Sequence, residues 1–421
     1  MKEAPHVTTH QGRRARRAAT AIAVIAAMTG LAGCASGGAS ASNGSLALYT
    51  WVSSQSDREQ WESFISLGKK EDPSLTISVE GPSFNDYWTK VKTRLSGSNP
   101  PCLLTTQAAR AQELQGLLMP LDDLIAKHKF DKSGIDASML KGMTVDGTIR
   151  ALPYDAEPIV LYYNVDAFTK AGIPLPTTTY TREQFVADAK KLTTADHKAL
   201  AIAPGVFIPN AWAIADGATA VTKAGKLDLT NPALVGQIQS YFDLVNKDGI
   251  ANAPEAADGS DIAQTAFTSG ASDMLIEGPW MYSTFADAAK FTMGVTIVPS
   301  TSGKAHGMTA GSGFGIAKNC KSPDEAFKAI TAMTATSVLK AQAASRGIVP
   351  SRATAQPSWA EGKSPEAAKA VSALLDNATA QITTPSWNQV ETLFTQYGVE
   401  GFRGDKTAKD ILATIQKSVG E

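Results

Sequence analysis

Short strands alternate with amphipathic helices along most of this chain, which restricts it to an α/β architecture. Ser45–Trp51 reads as an apolar strand. Ser56-Asp57-Arg58-Glu59 has the form of a capping box, opening a helix that buries Trp61, Phe64 and Ile65. Leu75–Val79 alternates as a second strand, Asp86–Leu95 reads as a helix, and Pro100-Pro101 leads into a strand over Cys102–Thr105. A helix is expected over Gln107–Leu118, and Ile159–Tyr163 is an unbroken apolar strand. Thr181-Arg182-Glu183-Gln184 caps a helix, and Asn231-Pro232 opens another. Met293–Pro299 is a strand, Ser322-Pro323 opens a helix, and Ala408–Val419 is an amphipathic C-terminal helix. This order predicts mainly parallel sheets flanked by helices. With 421 residues, 43% of them hydrophobic, the chain can bury two cores.

Within this pattern Ala266–Phe285 holds a large aromatic at a corner. Gly270 ends a helix, Met274-Leu275-Ile276 is a short buried strand, and Glu277-Gly278 breaks it. Pro279 suits the first position of a new helix, which leaves Trp280 between strand and helix. Ligands of open α/β sheets lie outside the carboxyl ends of strands. Trp280 is therefore either a lid on the core or a surface on which a ligand lies.

The first 33 residues read as a targeting signal. Arg13, Arg14, Arg16 and Arg17 precede an apolar run, Ala18–Leu31, that is short for a membrane span. Leu31-Ala32-Gly33-Cys34 matches the lipobox of bacterial lipoproteins, which implies lipidation of Cys34. Residues 34–45 are rich in Gly, Ser and Ala and read as a flexible tether. Beyond residue 33 there are 34 basic and 39 acidic residues, so no positive field favours nucleic acid. Cys102 and Cys320 form an even pair in an oxidising compartment, which favours a disulfide over two buried thiols. Neither has metal-ligand spacing, and no cofactor is implied.

Further segments carry a resemblance. They are Leu46–Trp51, Gly116–Asp123, Pro153-Tyr154-Asp155 through Asn164, Ala266–Gly270 through Gly278-Pro279-Trp280, Gly294–Pro299 and Gly347–Pro350. In this order, behind a lipobox, they resemble the solute-binding proteins of carbohydrate ABC importers, the group that includes maltose-binding protein. The resemblance implies two α/β lobes crossed three times by the chain, near Tyr154–Pro158, Gly307–Gly313 and Gly347–Arg352. It places lobe 1 in residues 46–156 and 314–348, and lobe 2 in residues 157–313 and 349–421. Gly307, Gly311, Gly313 and Gly315 would permit backbone change at a hinge. The implied function is capture of a sugar or short oligosaccharide and its delivery to a membrane permease. The protein would be a monomer held by lipid on the outer face of the cell membrane.

A sugar site needs aromatic platforms and a polar rim. Trp280 occupies the stacking position of the resembled family. Trp387 and Trp212 match or lie near further aromatic positions, and Trp51 ends a strand where a pocket wall is expected; each has core packing as its alternative. Glu157 falls on a ligand-binding position of the family, with Asp155 two residues before it. Only one of the two is expected to face a ligand directly, and a structural ion pair between lobes is the competing reading. Asp86, Gln107 and Arg346 lie where ligand contacts are expected, although each suits a cap, loop or hinge role. His128, His197 and His306 stand in unrelated contexts, and no GxSxG, HExxH or P-loop pattern occurs, so no catalytic residue is assigned. The alternatives are a binder of a non-sugar solute such as a glycerophosphodiester, or a glycoside hydrolase using Asp155 or Glu157 with Glu277.

Overall fold

The computed structural model describes residues 46–420; the expected leader, Cys34 and the tether lie outside them. In chain order the strands are β1 (Leu46–Tyr49), β2 (Ile77–Glu80), β3 (Leu103–Gln107), β4 (Thr144–Val145), β5 (Thr148–Ile149), β6 (Ala151–Pro153) and β7 (Glu157–Pro158). There follow β8 (Val160–Asn164), β9 (Leu200–Ala201), β10 (Met274–Glu277), β11 (Met293–Ile297), β12 (Gly307–Ala310), β13 (Ser312–Ile316) and β14 (Ala378–Ala380). A five-stranded sheet, ordered β2-β1-β3-β13-β6, forms the first lobe. A four-stranded sheet, β11-β8-β10-β9, forms the second, and a three-stranded sheet, β14-β12-β7, joins it. β4 and β5 make a small hairpin.

The sheets are mixed rather than mainly parallel. β1 pairs in parallel with β2 and β3, as strand–helix–strand units do. β13 re-enters the first sheet from the other lobe and runs antiparallel to both β3 and β6. In the second sheet, β8 arrives directly from a crossing and is antiparallel to β10 and β11. A strand fed by a crossing enters from the edge nearest the other lobe, which reverses its direction relative to helix-fed neighbours.

Each lobe has its own core. The first centres on Trp61, Phe64, Tyr154, Phe314, Phe327 and Ile330. The second gathers Tyr162, Phe185, Trp212, Phe242, Phe267, Phe285 and Phe394. The first helix, Gln55–Glu71, starts two residues earlier than its expected box: Ser54 is the cap and accepts from the Asp57 amide. The Thr181 capping box forms as read. The helix expected over Gln107–Leu118 is replaced by the end of β3, a 3₁₀ turn over Ala108–Arg110 and one short helix, Ala111–Leu114. Arg110 explains the break: its guanidinium is drawn into ion pairs with Glu113 and Glu391 and lies 4.9 Å from the Trp88 ring centroid.

Cys102 and Cys320 form a disulfide with Cα atoms 4.7 Å apart. Cys102 precedes β3 and Cys320 follows β13, its sheet neighbour. The bond therefore clips the first lobe on either side of the chain's long excursion into the second. Among the described residues, no helix is long and apolar enough to cross a membrane.

Candidate functional site

Strand register puts the three crossings and the open sheet edges together. In the first sheet Gln107 at the end of β3 pairs with Ser312 at the start of β13, and Gly313 pairs with Pro153 at the end of β6. In the second sheet Val160 at the start of β8 pairs with Glu277 and Ile297, near the ends of β10 and β11. Both sheets thus turn their carboxyl-end edges toward the crossings, the place where open α/β sheets hold ligands.

The two crossing carboxylates bind the crossings to one another. Asp155 Oδ1 accepts from the amide of Ser312, the first residue of β13 just after the second crossing. Glu157 Oε1 accepts from the Val349 amide of the third at 3.0 Å. Residues two apart in an extended segment share a face, yet these two carboxylates fasten different segments, one at Ser312 and one at Val349. Asp155 is thereby committed to the hinge. Burial pushes its carboxyl up to about 8. Burial, reinforced by the neighbouring Asp155, pushes Glu157 well above the ordinary range. Glu157 is 2% exposed, and its second oxygen, Oε2, has no hydrogen-bond partner among the described residues. The second crossing is Gly311 alone, between β12 and β13. A Cβ there would lie 2.4 Å from Met139 Cε and 2.9 Å from the Asp155 carbonyl oxygen, so glycine serves close approach rather than backbone freedom.

Trp280 stands at the carboxyl edge of the second sheet. Pro279–Met281 forms a 3₁₀ turn immediately after β10 and Gly278. The indole folds back over Gly278, where an added Cβ would lie 2.0 Å from the ring. Glycine is thus the residue that admits the ring. The Gly278 carbonyl is held from behind by the Tyr162 hydroxyl at 2.9 Å. Phe207 approaches Trp280 at 6.4 Å between centroids, and both rings are half-buried. Sequence reasoning passed over Phe207; its signal was an aromatic just after the Pro204-Gly205 break, at the first position of a helix. That helix, Phe207–Ala215, begins without a capping side chain. The turn bearing Trp280 packs against β7, the strand that carries Glu157. Glu277 is turned inward: Oε1 accepts from the Gly278 amide, Oε2 accepts from Gln264, and burial raises its pKa.

On the first lobe, Trp51 follows β1 and is half-buried. Phe84, 38% exposed, meets it edge-on at 5.3 Å, and Tyr87 and Trp88 close the cluster. Gln107 is half-buried beside Ser312.

Four expected contacts are placed elsewhere. Trp212 is 1% exposed; Arg182 lies 4.0 Å from its ring centroid, Phe185 and Tyr241 meet its edges, and Nε1 donates to Ser240. Trp387 is also 1% exposed and starts the helix Trp387–Arg403, donating to Glu391 at 2.9 Å. Both rings pack in the core of the second lobe. Asp86 is exposed and pairs with Lys90 one helical turn away. Arg346 is turned onto the first helix, 3.5 Å from Glu59 and from Ser56.

Comparison with known proteins agrees with this architecture. A curated Brucella abortus protein, described only as a binding protein, is 24% identical over 280 residues, 62% of this chain and 64% of its own. An sn-glycerol-3-phosphate-binding periplasmic protein of the same organism is 31% identical over 202 residues, 42% of this chain and 44% of its own. These matches span less than two thirds of the relatives' lengths. The solved ABC substrate-binding protein Lmo0181 of Listeria monocytogenes, in complex with cycloalternan, superposes with a TM-score of 0.79 at 21% identity, covering 89% of this chain and 97% of that one. The model of the bacterial extracellular solute-binding protein family matches residues 53–340, and the chain belongs to that family.

Proposed function

We propose that this protein captures a sugar or short oligosaccharide between its lobes and delivers it to the permease of an ABC importer. The observation that carries this reading is the half-buried Trp280–Phe207 pair beside the hinge carboxylate Glu157. Flat C–H faces stack on such rings, and hydroxyls satisfy carboxylates and helix-end amides. Trp51 and Phe84 offer a smaller aromatic rim on the facing lobe. Ligand contacts to both lobes would favour the closed form, which docks on the permease. We assign the first lobe to residues 46–156 and 312–348, and the second to 157–310 and 349–420. A lipid on Cys34 would hold a monomeric receptor at the outer membrane face, and the carboxylates bind rather than catalyse.

A second reading, a receptor for a glycerol phosphate ester such as a glycerophosphodiester, draws on the 31% identical relative, which is described as binding sn-glycerol-3-phosphate. Its phosphate would need a cation near Trp280. Arg346 is engaged by Glu59, whereas Lys363 Nζ lies on the Tyr282 and Trp359 rings at 5.3 and 4.8 Å. A thermal-shift screen of maltose, larger oligosaccharides and glycerophosphocholine separates the two, since a ligand of the folded state raises the melting point. The sugar reading expects a rise with saccharides; a rise with glycerophosphocholine alone selects the second reading.

A further inference from the structure

The three-stranded sheet at the crossings has one face that the hinge does not explain. Glu157 pairs with Ala310 across β7 and β12, and Thr309 pairs with Ala380 across β12 and β14. The Gln381 amide continues that ladder by donating to the Thr309 carbonyl. Extending the register by one residue places Glu157, Ala310 and Gln381 side by side, and paired residues share a face of a sheet. Met308, two residues before Ala310, lies on the same face. Asn210 of the helix Phe207–Ala215 reaches its sulfur at 3.5 Å. The far end of that helix meets the loop before β12, where Asp216 accepts from the Thr301 amide. The helix therefore runs antiparallel to β12, and its first residue, Phe207, lies toward Ala310.

Beneath the aromatic pair there is thus a polar strip with complementary orphans. Glu157 Oε2 and Gln381 Nε2 are both buried without a partner among the described residues, each on a residue 2% exposed. Between them stands Ala310, small and only partly buried. With strands about 4.8 Å apart, the two flanking Cα atoms are roughly 9–10 Å apart, about the reach of a sugar ring with its hydroxyls between the two side chains. A buried amide donor without an acceptor costs free energy unless something else meets it.

We infer that Gln381 is a ligand-contacting, specificity-determining residue, whose Nε2 donates to an oxygen of a neutral polyhydroxylated solute lying over Ala310 between Trp280 and the hinge. This rests on the sugar reading and extends it. The ligand must offer an acceptor oxygen to Gln381 while a hydroxyl a ring's width away hydrogen-bonds Glu157 Oε2. A compact anion would leave one of the two groups unmet.

The test titrates wild type, Gln381→Met and Gln381→Glu with maltose, cycloalternan and glycerophosphocholine by calorimetry, and melts each variant without ligand. The expected result is at least a tenfold loss of saccharide affinity in Gln381→Met, with a ligand-free melting temperature equal to or above that of wild type. A purely structural amide would lower the melting temperature and leave affinity alone. Gln381→Glu, which loses the donor, should weaken binding similarly. Saccharide affinity within twofold of wild type in Gln381→Met overturns the inference and leaves the sugar reading standing. Wild type that binds neither saccharide overturns both.

Discussion

At the residue scale, the tryptophans show how much a side chain's role depends on partners remote in sequence. The corner at which Trp280 sits was legible because its punctuation is local: strand, Glu-Gly break and turn-opening proline lie within a few residues. Trp212 has an equally suggestive setting before Ala215-Asp216-Gly217, but its fate is decided by Arg182, 30 residues earlier, which covers its face. Trp387 is decided by Glu391 and by the core under the helix it starts. Removing a buried Trp and leaving a cavity costs about 3–5 kcal/mol. Trp212→Ala should therefore lower the urea midpoint strongly, while any variant protein that remains folded keeps ligand affinity near wild type. A Trp212→Ala protein of unchanged stability and lost affinity would return this ring to the site.

At the scale of elements, what could be read were features set by neighbours within a turn: the Thr181 box, the Asn231-Pro232 start and the apolar strand before Asn164. What could not be read were features set across lobes. The segment after Gln107 has helical composition, yet Arg110 is buried by ion pairs to Glu113 and to Glu391, which lies 281 residues on. Strand directions also escaped, because the alternation of strands and helices does not reveal that β8 and β13 are delivered by crossings. The turn Gly278–Met281 gives the sharpest test of an element. Gly278→Ala adds a methyl where the indole now lies, without needing a left-handed backbone there. It should displace Trp280 and weaken ligand binding at least severalfold, with a change in tryptophan fluorescence. A variant with wild-type affinity and fluorescence would mean that the ring's seat on Gly278 is unimportant.

At the scale of the whole molecule, the hinge is a buried knot of carboxylates accepting from backbone amides. Burial lifts Asp155 to about 8 and, with the neighbouring Asp155, lifts Glu157 well above its ordinary range, against unfolded values near 4. Between about pH 4 and pH 8 the native hinge therefore holds more protons than the unfolded chain. The stability these groups contribute is present at the acid end and is lost as the pH rises through the folded values. The ligand-free protein should melt higher at pH 5 than at pH 8, and Asp155→Asn should reduce that difference. An unchanged pH slope in Asp155→Asn would show that another group sets it. The two lobes could be foreseen from length and pattern, but this knot could not, since it joins residues near 155, 312 and 349 that meet only after both lobes fold.

The sugar reading makes Trp280 the platform on which a solute is held between the lobes. Calorimetric titration of Trp280→Ala beside wild type, with the saccharide that most raises the wild-type melting point, tests it most directly. Loss of a stacked aromatic face predicts at least a tenfold fall in affinity, about 1.4 kcal/mol or more, with the ligand-free fold retained. A Trp280→Ala protein that binds that saccharide as tightly as wild type would contradict the account.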